Sequence, residues 1–224
     1  MALSLYFQSS CSLGQIQWFL YSHCCIAVSH VTIYGWIRHF TPFFKAVSNP
    51  LLQTANLQSN EWHADETFMK IRGVTHYLWI LLDSEKRVVI AFYLSALRDS
   101  SAPLQLFQEA HCLTDAQPAA IITDGLWAYA MPIKMAYPHT EHHADTSFAE
   151  LRNHNLLEAF NKTFKAWYKA KKGFHSFASA LDCITNFLFY YNFIHNHSCL
   201  SNFTTASVAG VSYTEEQRKH WFFF

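Results

Sequence analysis

Charge is scarce in this chain: only 14% of its 224 residues are Asp, Glu, Lys or Arg, and the first sixty contain Arg38 and Lys45 but no acid at all. With 51% hydrophobic residues, so little charge excludes a disordered polyelectrolyte and points to a folded core. Glycine and proline are few, six of each, so neither a fibrous repeat nor a linker-dominated chain is expected. No stretch reaches the ~18 uninterrupted apolar residues of a membrane helix. The start, MALSLYFQSSC, lacks the basic residues and small-residue cleavage site of a signal peptide, so a soluble, unexported protein is expected. The six cysteines, Cys11, Cys24, Cys25, Cys112, Cys183 and Cys199, contain no C-x-x-C pair, which predicts buried free thiols in a reducing compartment.

The charge that is present is unevenly placed. Sixteen basic and sixteen acidic residues cancel overall, yet residues 152–172 hold Arg152, Lys162, Lys165, Lys169, Lys171 and Lys172 against Glu158 alone, a local excess of five. A nucleic acid responds to local charge rather than to the total.

The order of elements is readable from hydrophobic period and punctuation. SLGQIQWFLYSH opens on a candidate N-cap, Ser12, and SHVTIYGWIRHF opens on another, Ser29; each carries apolar residues at helical spacing. Two short helices with a tight connection outline a helix-turn-helix, whose second helix would enter a major groove; a plain helical hairpin fits the same outline. TPFFKAVSNPLLQTANLQSN, with Pro42 and Pro50, reads as a linker. From Glu61 the period changes to that of strands, with EWHADETFMKI, THYLWILLD and RVVIAFYLS in succession. A helix over SAPLQLFQEAHCL, a short strand AAIITD, a possible strand HTEHHA and two long helices, the first closed by Gly173, complete a mixed sheet with helices around it.

Three carboxylates stand out. Strand alternation puts His63, Asp65 and Thr67 on one face and Trp62, Ala64 and Glu66 on the other, so Glu66 is expected to be structural. Asp124 ends an apolar strand and precedes Gly125, where open α/β sheets build sites. Glu158 shares a helix face with Lys162, Lys165 and Lys169. Together the three acids suit hard divalent cations and in-line phosphoryl displacement. A turn-forming Asp and a solvated Glu–Lys pair would leave the same pattern.

The blocks WHADETF, HYLWILLD, IITDGLWAY, HNLLEAFNKTFKAWYKAKKGFHSF and YYNFIHNHSCLSNFTTASVAG resemble, in order, those of the DDE transposases of insertion-sequence family six. The resemblance implies an α/β fold: an RNase H-like mixed sheet flanked by helices, preceded by a small all-α helix-turn-helix module. It implies a module over residues 1–45, a linker over 46–60, a catalytic domain over 61–200 and a C-terminal tail over 201–224. It also implies that Asp65, Asp124 and Glu158 hold Mg²⁺ or Mn²⁺ and catalyse phosphodiester hydrolysis at transposon ends, followed by strand transfer into target DNA. On the strand face that it shares with Asp65, His63 either orients a carboxylate or contacts phosphate, or is a packed strand histidine. Lys162, Lys165, Lys169, Lys171 and Lys172 would hold DNA phosphates, and Ser29, His30, Thr32 and Arg38 would face double-stranded DNA at the terminal inverted repeats. A homodimer or larger assembly, without membrane attachment, is expected near the nucleoid of a prokaryotic cytoplasm.

Departures from the family pattern are the 33 residues between Asp124 and Glu158, Ala159 where relatives carry Arg, and His195-Asn196-His197 where they favour Arg-Pro-His. With zero net charge, they keep open a decayed or repurposed DNA-binding protein, or a structure-selective nuclease on the same fold. His139, His142, His143 and Asp145 offer a weaker, transition-metal alternative. The aromatic series from Phe187 to Phe193 is expected to pack the core.

Overall fold

The computed structural model describes residues 1–144 and 151–222. Its centre is a five-stranded mixed sheet in the order β3-β2-β1-β4-β5. The strands are β1 (Glu61–Ile71), β2 (Val74–Asp83), β3 (Val89–Ser95), β4 (Ala120–Thr123) and β5 (Glu141–Ala144). The first three run as an antiparallel meander, whereas β4 is parallel to β1 and β5 parallel to β4.

Local chemistry explains the meander. Arg72 and Gly73 both have positive φ, 51° and 80°, as a two-residue turn matched to strand twist requires. At the next turn Asp83 Oδ1 accepts the Glu85 and Lys86 N–H groups at 3.0 and 2.7 Å, an Asp side chain replacing backbone partners.

Helices cover both faces. On one, α5 (Ser101–Leu113) and α6 (Ala130–Ala136) pack against Trp62 and Trp79; Phe107 and Tyr137 are in edge contact, and Tyr129 meets Trp79 at 5.5 Å. On the other lies α7 (Leu151–Lys171), crossed by α8 (Phe177–Phe189), with Phe187 stacked on Trp167 at 4.7 Å. A π-helical turn, Tyr190–Ile194, extends α8, and the series Phe187, Phe189, Tyr190, Tyr191 and Phe193 is buried, as expected of core packing. Asn192 in that turn bonds both the N–H and the C=O of Val89, at 3.0 and 2.9 Å.

The N-terminal helices are α1 (Ala2–Phe7), α2 (Leu13–Cys24) and α3 (His30–His39). Ser12 caps α2 in a reciprocal box with Gln15, and Ser29 Oγ caps α3 by accepting the Thr32 N–H at 3.1 Å. The expected linker over 46–60 is largely helical: α4 (Thr41–Gln53) runs through the predicted module boundary at residue 45. Pro42 sits in its first turn, where no N–H is needed, and Phe44, Val47, Leu51 and Leu52 keep helical spacing despite Pro50. Phe44 stacks on Phe189 at 4.3 Å, so burial outweighs the bond that Pro50 cannot make. The C-terminal tail is likewise packed: α9 (Thr205–Val208) and α10 (Glu215–Phe222) follow, and Trp221 lies on Phe189 at 5.6 Å. All six cysteines are free thiols, but only Cys183 is buried. Among the described residues, no helix is long and apolar enough to cross a membrane.

Candidate active site

Sheet register brings two distant acids side by side. Glu61, Trp62 and His63 of β1 pair in parallel with Ala120, Ile121 and Ile122 of β4; continuing that register sets Asp65 abreast of Asp124, one residue past the end of β4. There the chain turns: Gly125 takes a φ of 84°, and Asp124 Oδ1 accepts the Leu126 N–H at 3.1 Å. Thus Asp124 is held at the carboxyl end of a strand by its own Asp-turn, at the half-open mouth of the sheet.

Asp65 lies deeper. Its Oδ1 accepts the Glu66 N–H, and its Oδ2 accepts the side-chain amide of Asn161 on α7, both at 2.9 Å. Burial first, then the nearby charges of Glu66 and Asp124, raise its carboxyl to about 6. Asn161 and the Glu66 amide pull the other way by bonding the ionised form.

Strand alternation separates Asp65 from Glu66 as expected, Asp65 toward α7 and Glu66 toward Tyr129, but the two side chains do not diverge. One oxygen from each of Asp65, Glu66 and Asp124 lies within 4.8 Å of the others. Glu66 is therefore part of the acidic cluster. Its carboxylate is also the most heavily partnered: Tyr129 Oη donates to Oε2 at 3.1 Å, while Arg98 Nε donates to Oε1 at 2.7 Å and Arg98 Nη2 bonds the same oxygen. Arg98 Nη2 is 4.0 Å from Asp124 Oδ2. Neither Arg98 nor Asn161 was singled out from the sequence. A lone Arg after a strand has no periodic signature; Asn161 does have one, lying three residues after Glu158 on a helix whose buried stripe starts at Leu156 and Phe160.

Glu158 is exposed, one helical turn before Asn161, and lies outside that compact trio. Lys162 and Lys169 are exposed and Lys165 half-buried, its ammonium 5.3 Å above the Phe68 ring. Lys172 is exposed at a left-handed turn. Lys171 departs from expectation: its Nζ donates to the carbonyls of Tyr6 and Cys11 at 3.0 and 2.6 Å and sits 3.7 Å over the Tyr6 ring. It is turned inward rather than toward a phosphate, because Phe164, Trp167 and Lys171 fall on one helix face.

His63 is 2% exposed, with Nε2 3.9 Å from Glu61 Oε2, on the Asp65 face but one residue pair further into the sheet. Ser29, His30 and Thr32 are exposed at the start of α3; Arg38 at its end is paired with Asp182 of α8 at 2.7 Å. Among the histidines of the transition-metal alternative, His142 bonds Thr123 Oγ1 at 2.9 Å and His143 faces Glu141 at 3.1 Å; Asp145 lies outside the described residues. They do not gather into a ligand set among the described residues.

A trio of carboxylate oxygens, with the Asp65 carboxyl raised by burial first and by its acidic neighbours second, has the chemistry of a hard-cation site: oxygen donors only and, with a single guanidinium among three acids, excess negative charge. The donor set therefore fits a divalent cation.

A family profile described as a DDE domain matches residues 59–197. No curated protein matches the chain in sequence. Among solved structures, a chain of the simian T-cell lymphotropic virus intasome superposes with a TM-score of 0.53 at 14% identity, covering 96% of this chain and 76% of that one. The catalytic core domain of BIV integrase superposes with a TM-score of 0.50 at 10% identity, covering 72% of this chain and 98% of that one. At these identities the likeness is one of fold: an RNase H-like mixed sheet flanked by helices.

Proposed function

This chain belongs to the DDE family of transposases, and on that premise we propose that Asp65, Asp124 and Glu158 form its catalytic site for cutting and joining DNA. The observation that supports the reading most is the parallel β1–β4 register, which sets Asp65 beside Asp124 at the open end of the sheet. Glu158, exposed on α7 one turn from the Asn161 amide that holds Asp65 Oδ2, would join them on binding the metal. In the first reaction water adds to a phosphodiester phosphorus at the transposon end, and the P–O3′ bond breaks, freeing a 3′-hydroxyl. In the second that hydroxyl attacks a target phosphodiester and displaces the target's own 3′-oxygen.

Mg²⁺ or Mn²⁺, held by Asp65, Asp124 and Glu158, would supply Lewis-acid stabilisation of the attacking and leaving oxygens. The protein's part is positioning. Asn161 and the Glu66 amide fix the two oxygens of Asp65, and the Leu126 amide fixes Asp124. Lys162, Lys165 and Lys169 continue from Glu158 along one face of α7 for ~16 Å, a line of positive charge suited to the phosphates of duplex DNA leading from the site. Ser29, His30 and Thr32, at the exposed start of α3, would read the terminal repeats in the manner of a helix-turn-helix, and paired ends would be held by a homodimer or larger assembly.

The test is incubation of the full chain with Mg²⁺ and DNA carrying the ends of its encoding element. Nicking that exposes a 3′-hydroxyl is expected, and it should vanish in Asp65→Ala, Asp124→Ala and Glu158→Ala. Cleavage that survives in any one of the three removes that residue from the site.

A further inference from the structure

The acidic cluster already contains a cation of its own. Arg98 leaves the end of β3, outside the family's three acids, and places its guanidinium on Glu66 Oε1 through two nitrogens, 4.0 Å from Asp124 Oδ2. Glu66 is 6% exposed, and its second oxygen is taken by Tyr129. Both Glu66 oxygens thus have protein donors, while among the described residues Asp65 and Asp124 accept only amide N–H groups, which leaves lone pairs on both carboxylates.

We infer that Arg98 is a positioning residue that keeps Glu66 out of the metal site: it neutralises Glu66, anchors it against Tyr129, and leaves Asp65 and Asp124 as the carboxylates of the trio that take a divalent cation. The inference rests on the reading of Asp65 and Asp124 given above. Its chemistry follows from charge. Three carboxylates and one guanidinium leave two negative charges in the cluster, enough for one divalent cation; without the guanidinium there are three. A fixed positive charge near Asp124 also weakens cation binding to the bare protein, so firm binding awaits the additional negative charge of a DNA phosphate.

Calorimetric titration of the full chain with Mn²⁺, without DNA, tests this. Arg98→Gln releases Glu66 and should tighten Mn²⁺ binding at least about tenfold, since one unit charge ~4 Å from a ligand oxygen is worth more than that at protein-like dielectric. Glu66→Gln leaves Arg98 without its partner, free to turn onto Asp124, and should weaken binding by about the same factor. The double variant, Glu66→Gln with Arg98→Gln, restores two negative charges and should bind within about threefold of wild type. Arg98→Lys keeps the charge and should stay near wild type.

The inference is overturned if Arg98→Gln leaves Mn²⁺ affinity unchanged or weakens it. It is equally overturned if the double variant binds as poorly as Glu66→Gln, which would make Glu66 a ligand. Should Arg98→Gln not fold, the comparison of Glu66→Gln with the double variant carries the same decision. Asp65→Asn separates this inference from the reading beneath it: if that variant binds Mn²⁺ as well as wild type, the assignment of Asp65 to the metal fails, whichever way the Arg98 series falls.

Discussion

Asn161 gives its side-chain amide to Asp65 Oδ2 at 2.9 Å, joining residues 96 apart in sequence across the interface of α7 with the central strand. The bond favours the ionised carboxylate, which burial and two neighbouring acids oppose. Replacing Asn161 with Ala should raise the Asp65 carboxyl further above about 6 and lower Mn²⁺ affinity by roughly tenfold to a hundredfold, the usual effect of losing a partner that orients a ligand. An unchanged Mn²⁺ titration would show that the bond is incidental.

When no cation is bound, burial first and neighbouring negative charge second disfavour the ionised Asp65. Asp65→Asn should therefore stabilise the metal-free protein at pH 7.5 by about 1–2 kcal/mol while abolishing DNA nicking. Urea unfolding with chelator present reads the first effect; a variant less stable than wild type would mean that the Asn161 and Glu66 bonds outweigh the cost of burying the charge.

Lys171 Nζ serves two backbone carbonyls and an aromatic face. Lys171→Met keeps the stem but leaves the Tyr6 and Cys11 oxygens without this donor, at an expected cost of about 2–3 kcal/mol. Denaturant midpoints measure it, and a change under ~0.5 kcal/mol would assign the lysine to the surface after all.

Asn192 behaves as a piece of backbone, closing both hydrogen-bonding groups of Val89 beside the irregularity at Leu81 and Leu82, while its Oδ1 also accepts from Thr205 at 3.2 Å. Asn192→Ala should cost roughly 3 kcal/mol, because the Val89 N–H and C=O lose this buried partner. Full retention of the unfolding midpoint would refute the role.

His197 titrates well below a surface histidine. Burial lowers its pKa from the ordinary 6.5 to about 4, so the neutral ring is the folded form. Its contribution is complete above pH 6.5 and is lost as pH falls through about 4, since the unfolded chain takes up the proton first. The stability difference between wild type and His197→Gln should therefore shrink from pH 6.5 to 4; a flat difference would exclude His197 from acid unfolding.

Most of the sheet was legible because the strands alternate or run wholly apolar between turns that have a mechanism, such as the left-handed Arg72-Gly73 pair. Asp124 was legible as an acid at the end of the short strand Ala120–Thr123. The convergence of Glu66 was not, because alternation fixes which face a side chain leaves from but not where a long side chain ends once an arginine draws it toward the sheet's open end. Helix α4 was misread because two prolines in thirteen residues outweighed the spacing of Phe44, Val47, Leu51 and Leu52. Lys171 was legible in principle: it lies four residues after Trp167 and seven after Phe164, on the buried stripe, yet it sits in a basic run that invites a solvent-facing reading.

The inward lysine bears on how such a chain diversifies. Tyr6 and Cys11 stand on one side of the contact and the end of α7 on the other, with Arg38–Asp182 and the Asn186 amide on the Ile37 carbonyl alongside. The N-terminal helices are thus not a detachable cassette. Grafting those of a relative onto this core would strand the Lys171 side chain without its carbonyl partners unless residues 167–186 travelled with them, so the N-terminal helices and the end of α7 form one packing unit.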